Sequence, residues 1–230
     1  ADLFEKLPLS QNVIESHQKS FLDIYFTEKL YRKNHFIGIP CLQNPIDLFT
    51  LQELITKLRP DNILETGTGF GGSAALFAIM MDVLGLPGKV YTVDNVQYDV
   101  SALSNALGNR YKEKLICFRS SMSIDSAYID KLRKNIKGDN NLVILDSDHS
   151  KWYVYAEMEV YSQFVKPGGY LVVADTIIDG KTYRDKYPEW YEGPKAAVDE
   201  FLKRRDDFVL DETCGQIFSC FTGGFLRRIK

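Results

Sequence analysis

The amino-acid sequence predicts an α/β fold: a doubly wound sheet of seven strands, mostly parallel, with an N-terminal helical extension. Short apolar runs rich in β-branched residues alternate with longer amphipathic segments, a pattern typical of parallel strands joined by helical crossovers. The runs at 141–146 and 170–174 are almost continuously apolar, as expected of central strands covered on both faces. We therefore expect one structural domain.

The predicted elements follow one another in a regular order. Strands are expected at 61–66, 89–94, 114–118, 141–146 and 169–175. Helical crossovers are expected at 71–84, 98–108, 123–137 and 150–164. The crossovers have the length that a parallel sheet requires.

The two ends of the chain complete this plan. Residues 1–60 are interpreted as a helical extension and lid, and residues 61–230 as a Rossmann-like domain. Helices are expected in the extension at 11–33 and 45–58. After the fifth strand we expect a polar loop at 179–194, a helix at 195–205, and a terminal strand pair at 207–210 and 216–221.

Composition and charge exclude several classes of function. The 230 residues carry 28 basic and 31 acidic side chains, a net charge of −3, which argues against nucleic acid or an anionic membrane as partner. The longest apolar stretch, 74–81, is too short to span a bilayer, and the N-terminus lacks the pattern of a signal peptide. The four cysteines lack CxxC spacing. A cytoplasmic location is therefore expected.

A glycine-rich turn follows the first predicted strand. It fits both Gly-x-Gly-x-x-Gly, with Gly67, Gly69 and Gly72, and Glu-x-Gly-x-Gly-x-Gly, from Glu65 to Gly71. Glycines allow a tight turn and the close approach of a ligand, and the N–H groups that begin the next helix suit a carboxylate or phosphate. The turn alone does not distinguish between nucleotide-containing cofactors.

The acidic residue that ends the second strand narrows the choice of cofactor. Asp94 stands where a carboxylate can accept both hydroxyls of a ribose, in NAD or in S-adenosylmethionine. Glu65, two residues before the first glycine, favours S-adenosylmethionine, because a charge there is typical of sites that face a methionine amino group. A nicotinamide-dependent oxidoreductase is the alternative, but a Gly-Pro pair interrupts its candidate catalytic residues, Tyr191 and Lys195.

Acidic side chains also end the fourth and fifth strands, at the sheet edge where ligands bind in open α/β folds. Oxygen atoms of Asp146, Asp175 and Thr176 would form a partial site for Mg²⁺. His149 is positioned to take a proton. The alternative is that Asp146 and Asp175 only cap the elements that follow them, a role that we expect more strongly for Asp148.

Four motifs together resemble the cephalosporin hydroxylase family, which includes the cephamycin-pathway methylation protein and rhamnosyl O-methyltransferases. The motifs are GIPCLQNP at 38–45, LETGTG at 64–69, LDSDHS at 145–150 and GGFLRR at 223–228. The resemblance covers most of the chain from about residue 36. It implies a methyltransferase that uses S-adenosylmethionine and Mg²⁺ to methylate a hydroxyl oxygen.

The resemblance implies a role for each candidate residue. His149 would be the general base, oriented by Asp148. The metal ligands would be Asp146, Asp175 and Thr176. The cofactor would be held by Gln43, Glu65, Gly67, Thr68, Gly69, Ser73, Asp94, Ser120, Ser121 and Asp146. The chain departs from related metal sites at Thr176, where catechol-type enzymes have asparagine, and at Ala174, where the cephamycin protein has glutamate.

The methyl acceptor is expected to be a small molecule or a glycosyl group. Four aromatic residues in the loop at 179–194 suit stacking on a sugar ring, although chance aromatics in a surface loop are the alternative: Tyr183, Tyr187, Trp190 and Tyr191. A third hypothesis is a cofactor-binding homologue without turnover, which Ala174 and Thr176 would explain. The apolar N-terminal helices would supply the interface of a homo-oligomer.

Overall fold

The structure, a computed structural model, describes residues 10–179, 192–215 and 218–230. The helices are α1 (Gln11–Thr27), α2 (Pro45–Leu58), α3 (Gly72–Val83), α4 (Ser101–Lys112), α5 (Ser126–Asn135), α6 (Lys151–Tyr161) and α7 (Pro194–Arg204). The strands are β1 (His35–Phe36), β2 (Ile39–Pro40), β3 (Asn62–Thr66), β4 (Val90–Asp94), β5 (Leu115–Arg119), β6 (Asn141–Leu145), β7 (Tyr170–Val173), β8 (Phe208–Leu210) and β9 (Phe225–Arg228).

Seven of these strands form one sheet, in the order β5-β4-β3-β6-β7-β9-β8. The first five strands in this order, from β5 to β7, are parallel to one another, whereas β9 runs antiparallel to both β7 and β8. Thr66 is in register with Val93 on one side and Leu145 on the other, so the central strands end at the same edge. The predicted α/β class, with seven mostly parallel strands, is confirmed.

Apolar side chains alternate between the two faces of the sheet and form a core on each. On β6, Leu142 and Ile144 pack with α1, α2 and α3, whereas Val143 and Leu145 pack with α5, α6 and α7. Because side chains of a strand point alternately up and down, a strand between two helical layers must be apolar throughout. This explains why 141–146 is nearly continuous in its hydrophobicity.

The N-terminal segment packs against the same core face as α3. Tyr25 of α1 and Leu51 and Ile55 of α2 belong to the core cluster that contains Ile63 of β3. The predicted helix 11–33 is wrong at its C-terminal end. It stops at Thr27, Lys29 adopts a left-handed conformation with φ 51°, and a 3₁₀ helix (Leu30–Lys33) follows. The short hairpin of β1 and β2 was not predicted.

The predicted strand at 216–221 is also wrong. Residues 216 and 217 lie outside the described residues, and 218–221 form a turn, while the strand that completes the sheet is Phe225–Arg228. Asp47 of α2 holds the turn, because its carboxylate accepts hydrogen bonds from the Ser219 hydroxyl and, at 2.8 Å, from the Cys220 N–H. A contact so distant in sequence is invisible to a local pattern.

Two further features concern membrane crossing and the cysteines. Among the described residues, no helix combines the length and the hydrophobicity needed to cross a membrane. All four cysteines are free thiols. Of the pair Tyr191 and Lys195, Tyr191 lies outside the described residues, and Lys195 is in α7, which begins at Pro194.

Candidate functional site

A cleft of about 820 Å³ opens at the carboxyl ends of β3, β4, β6 and β7. This volume lies in the range of pockets that enclose cofactors and drug-sized ligands. One wall consists of the glycine-rich turn and the residues that follow β4, β5 and β6. The opposite wall is the N-terminal segment, with Tyr25, Phe26, Tyr31 and residues 40–44. The cleft lies where open α/β sheets bind ligands.

The glycine-rich turn packs directly on the end of β6. Gly67 has φ 86°, and a Cβ at this position would lie 1.9 Å from the Asp146 carbonyl oxygen. Its N–H donates to the Val93 carbonyl at 2.8 Å. Only glycine combines this left-handed conformation with so close an approach. The requirement places Thr68 and Gly69 in the cleft wall, next to Asp146.

Glu65 lies beneath the turn and not among the residues that line the cleft. Its carboxylate accepts hydrogen bonds from the Ser73 and Thr92 hydroxyls, each at 2.6 Å. Burial raises the pKa of Glu65 to about 7, although these two hydroxyls oppose the shift. Glu65 holds the Ser73 side chain, which lines the cleft, and the expected contact of Glu65 with a cofactor stays a prediction.

Asp94, the last residue of β4, is hydrogen-bonded to the same turn. One carboxylate oxygen accepts from the Gly69 N–H at 2.9 Å, and the other accepts from the Val96 N–H at 2.8 Å. Each oxygen retains a lone pair, because a carboxylate offers about four acceptor positions. Asp94 lines the cleft and can therefore accept two hydroxyl groups of a ribose-containing ligand.

Three ionisable side chains meet at the base of the cleft: Asp146, His149 and Asp175. One potential ligand atom from each lies within 4.8 Å of the other two. His149 Nε2 is 3.4 Å from an Asp175 carboxylate oxygen. Asp175 adopts a left-handed conformation with φ 52° at the end of β7, which an aspartate tolerates better than most residues.

The electrostatics of these three groups favour a bound cation. Burial and the neighbouring Asp175 carboxylate raise the pKa of Asp146 well above its usual range. Burial lowers the pKa of His149, but the hydrogen bond and charge of Asp175, together with Asp146 and Asp148, outweigh it and raise the pKa to about 9. Two carboxylates that face each other in a half-buried site provide the oxygen ligands that Mg²⁺ prefers. The donor set therefore fits a divalent cation.

Three predicted site residues have contacts that the sequence did not suggest. The Thr176 hydroxyl donates to the Thr222 carbonyl at 2.7 Å, and Thr176 is absent from the described lining of the cleft, so its role as a metal ligand stays a prediction. Ser120 accepts a hydrogen bond from the exposed Gln97 side chain and is likewise absent, whereas Ser121 lines the cleft. Asp148 lines the cleft and accepts from the Ser150 N–H at 2.7 Å in the turn before α6, whose N-cap is Ser150, and Asp175 contacts His149 instead.

Gln43 lies close to its predicted position. Its side-chain amide donates to the Asp146 carboxylate across the cleft. Asn34 fixes the backbone of this segment by donating to the Gln43 carbonyl at 2.9 Å and to the Tyr25 hydroxyl at 3.1 Å. The N-terminal segment is therefore tied to the base of the cleft.

Several lining residues were not predicted from the sequence. Tyr25, Phe26 and Tyr31 form an aromatic wall, and Lys29 and Arg32 are the lysine and arginine in the described lining. Periodicity placed these side chains on one continuous helix, whereas Tyr25 and Phe26 lie in the last turn of α1, and Lys29, Tyr31 and Arg32 follow its end at Thr27. The aromatic residues expected in the loop, Tyr183, Tyr187, Trp190 and Tyr191, lie outside the described residues.

Comparisons with known proteins identify the family and the fold of this chain. A family model for rhamnosyl O-methyltransferase/CmcI proteins matches residues 28–229. The rhamnosyl O-methyltransferase of Mycobacterium tuberculosis is 36% identical over 181 residues, 77% of this chain and 71% of the relative. That of Mycobacterium leprae is 31% identical over 211 residues, 89% of this chain and 87% of the relative. CmcI, solved with Mg and S-adenosylmethionine, shares the fold, with a TM-score of 0.62 and 19% identity over 86% of this chain and 78% of CmcI.

Proposed function

The chain belongs to the rhamnosyl O-methyltransferase/CmcI family, and we propose that, as an S-adenosylmethionine-dependent O-methyltransferase, it methylates a hydroxyl group of a sugar or secondary metabolite with the help of Mg²⁺. One observation carries the proposal. A single cleft of about 820 Å³ contains both the glycine-rich turn with Asp94 and the cluster of Asp146, His149 and Asp175. A nucleoside-binding region and an acid–base centre are therefore within reach of one another.

The cofactor would bind along the glycine-rich turn. Asp94 would accept the ribose hydroxyls, while Gly67, Thr68, Gly69 and Ser73 would surround the methionine portion. Ser121 would lie toward the adenine, and Gln43 would face the cofactor from the N-terminal wall. S-adenosylmethionine, once bound there, supplies the methyl group.

The acidic cluster would serve the acceptor. Asp146 and Asp175 would hold Mg²⁺, with His149 beside them as base or as a third ligand. The bound ion would lower the pKa of an acceptor hydroxyl, as it does for a metal-bound water. Asp175 contacts the His149 ring at Nε2. His149 would accept the hydroxyl proton only in its neutral form, which a bound Mg²⁺ would favour, because its positive charge opposes the carboxylates that raise the pKa of His149.

The aromatic wall favours a ring-shaped acceptor with hydroxyl groups. Tyr25, Phe26 and Tyr31 line the cleft on the side opposite the sheet. Aromatic faces stack on the apolar faces of sugar rings, and Tyr adds a polar edge. We therefore propose a glycosyl hydroxyl, as the names of the mycobacterial relatives suggest. A cytoplasmic location and self-association remain predictions.

Methyl transfer by matched variants tests the proposal. The full chain is incubated with methyl-labelled S-adenosylmethionine, Mg²⁺ and a panel of rhamnosides, and labelled product is counted. Asp175→Asn keeps the shape and tolerates the left-handed conformation, so we expect unchanged cofactor binding and a rate lowered at least about 100-fold. Asp125→Asn is the control, because Asp125 is a helix cap that asparagine replaces well.

Other results would exclude the proposal in specific ways. Full activity of Asp175→Asn, or full activity in excess EDTA, would eliminate the acidic cluster as a metal centre. Cofactor binding without transfer to any member of a broad hydroxyl panel would favour the homologue without turnover. Binding of NAD in place of S-adenosylmethionine would favour the oxidoreductase.

A further inference from the structure

A buried carboxylic acid on α6 contacts two segments that line the cleft. Glu157 has no exposed surface. Its Oε1 atom accepts hydrogen bonds from the Ser123 hydroxyl at 2.5 Å and from the Ser147 hydroxyl at 2.6 Å. Oε2 is buried without a hydrogen bond in the described part of the chain. A carboxyl in the core is costly, and a leucine or methionine would fill the same space at no such cost.

The two serines come from different strand ends. Ser123 lies four residues after β5, in the segment that we assign to the adenine side of the cofactor. Ser147 directly follows Asp146 at the end of β6. Both serines line the cleft. One oxygen atom therefore connects the cofactor side of the cleft to the acidic cluster.

Further hydrogen bonds tie Ser123 to the same helix. The Tyr153 hydroxyl lies 3.0 Å from Ser123 Oγ and also lines the cleft. The Tyr161 hydroxyl donates to the Ser123 carbonyl at 3.0 Å. Tyr153, Glu157 and Tyr161 succeed one another at four-residue spacing, so one face of α6 carries all three. Without Glu157, Ser147 would lose its link to this face.

We propose that Glu157 is a positioning residue that sets the spacing between the segment after β5 and the segment after β6, and thereby aligns the bound cofactor with the acidic cluster. This inference rests on the proposed function. Its hydrogen bonds require only an oxygen acceptor, so a carboxamide at this position replaces Oε1. Burial also raises the pKa of Glu157 to about 7, opposed by the Ser123 and Ser147 hydroxyls, so the uncharged form is well populated near neutral pH.

The test compares Glu157→Gln with Glu157→Met, which is similar in size but lacks an acceptor. Cofactor affinity is measured by calorimetry with S-adenosylmethionine, and KM and kcat by labelled methyl transfer. We expect the cofactor affinity and the kcat of Glu157→Gln each to stay within about threefold of the wild-type value. We expect Glu157→Met to weaken cofactor binding about tenfold and to lower kcat about tenfold, the size of losing one or two buried hydrogen bonds.

Serine variants separate positioning from general loss of structure. Ser123→Ala should weaken cofactor binding with little change in kcat, whereas Ser147→Ala should lower kcat with little change in affinity. In the Glu157→Met background both effects should disappear, because each acts through Glu157. If Glu157→Met does not fold, the single serine variants still separate the effect on cofactor affinity from the effect on kcat, and Glu157→Gln still tests whether an oxygen acceptor is sufficient.

Three outcomes would overturn the inference. The first is wild-type kinetics in folded Glu157→Met. The second is that Ser123→Ala or Ser147→Ala lowers affinity or kcat in the Glu157→Met background by as much as in the wild type. The third is an equal loss of affinity and kcat in every variant that follows the decrease in melting temperature, which would indicate a merely structural role. Failure of the proposed function is distinguishable, because the wild-type chain would then show neither cofactor binding nor transfer.

Discussion

At the scale of single residues, the close packing of Gly67 on Asp146 decides the shape of the cleft. The glycine-rich turn and the residue that follows β6 touch through backbone atoms, so this contact fixes how closely the cofactor side approaches the acidic cluster. The sequence predicted the turn from its glycines. It did not predict which glycine makes the contact, because that depends on the register between β3 and β6.

Alanine substitutions at two glycines test this contact. Gly67→Ala places a Cβ against the Asp146 carbonyl, whereas at Gly69, also at positive φ, no atom lies within 4 Å of the position that a Cβ would take. We expect Gly69→Ala to cost about 1 kcal/mol from backbone strain alone, and Gly67→Ala about 3 kcal/mol or more. Urea denaturation monitored by circular dichroism measures both. Equal destabilisation would show that the close contact is absent.

At the scale of secondary-structure elements, the parallel strands, their crossovers and the strand at 207–210, which is β8, were predictable, whereas the last strand was not. The helix predicted at 45–58 is α2, and the strand predicted at 141–146 is β6, because hydrophobic periodicity specifies both. The run at 216–221 is apolar for another reason. Cys220 and Phe221 are buried in the core beside α2, and Asp47 fixes their turn.

The Asp47 contact predicts an unusual dependence of stability on pH. Burial raises the pKa of Asp47 to about 7 despite hydrogen bonds from Ser219 and Cys220, so the folded state holds a proton that the unfolded state releases near pH 4. The contribution to stability is therefore present below about pH 4 and is lost as pH rises to about 7. Asparagine does not titrate and can still accept from the Cys220 N–H.

Between pH 5 and pH 8 we expect the free energy of unfolding to decrease in both the wild type and Asp47→Asn. The decrease should be smaller in Asp47→Asn, by a few kcal/mol. Glu65 and Glu157 titrate in the same range, since burial raises the pKa of each to about 7, so some slope remains in the variant. Urea midpoints at several pH values provide the measurement. Parallel curves for the two proteins would show that Asp47 is ionised in the fold.

At the scale of the whole molecule, the N-terminal segment and the sheet form a single cleft. The sequence predicted the Gly67, Asp94 and Asp146 positions, because each ends or follows a recognisable strand. It did not predict the aromatic wall of Tyr25 and Tyr31, nor the pairing of His149 with Asp175. Those depend on how distant elements pack, which local periodicity does not encode.

Calorimetric titration of the intact chain with S-adenosylmethionine, and separately with NAD, each with and without Mg²⁺, tests the central claim most directly. We predict micromolar binding of S-adenosylmethionine through Asp94 and the glycine-rich turn, and no heat of binding with NAD. The affinity should also fall when Asp94 is replaced by alanine. Binding of NAD alone, or the absence of binding by S-adenosylmethionine, would contradict the assignment of this cleft to a methyl donor.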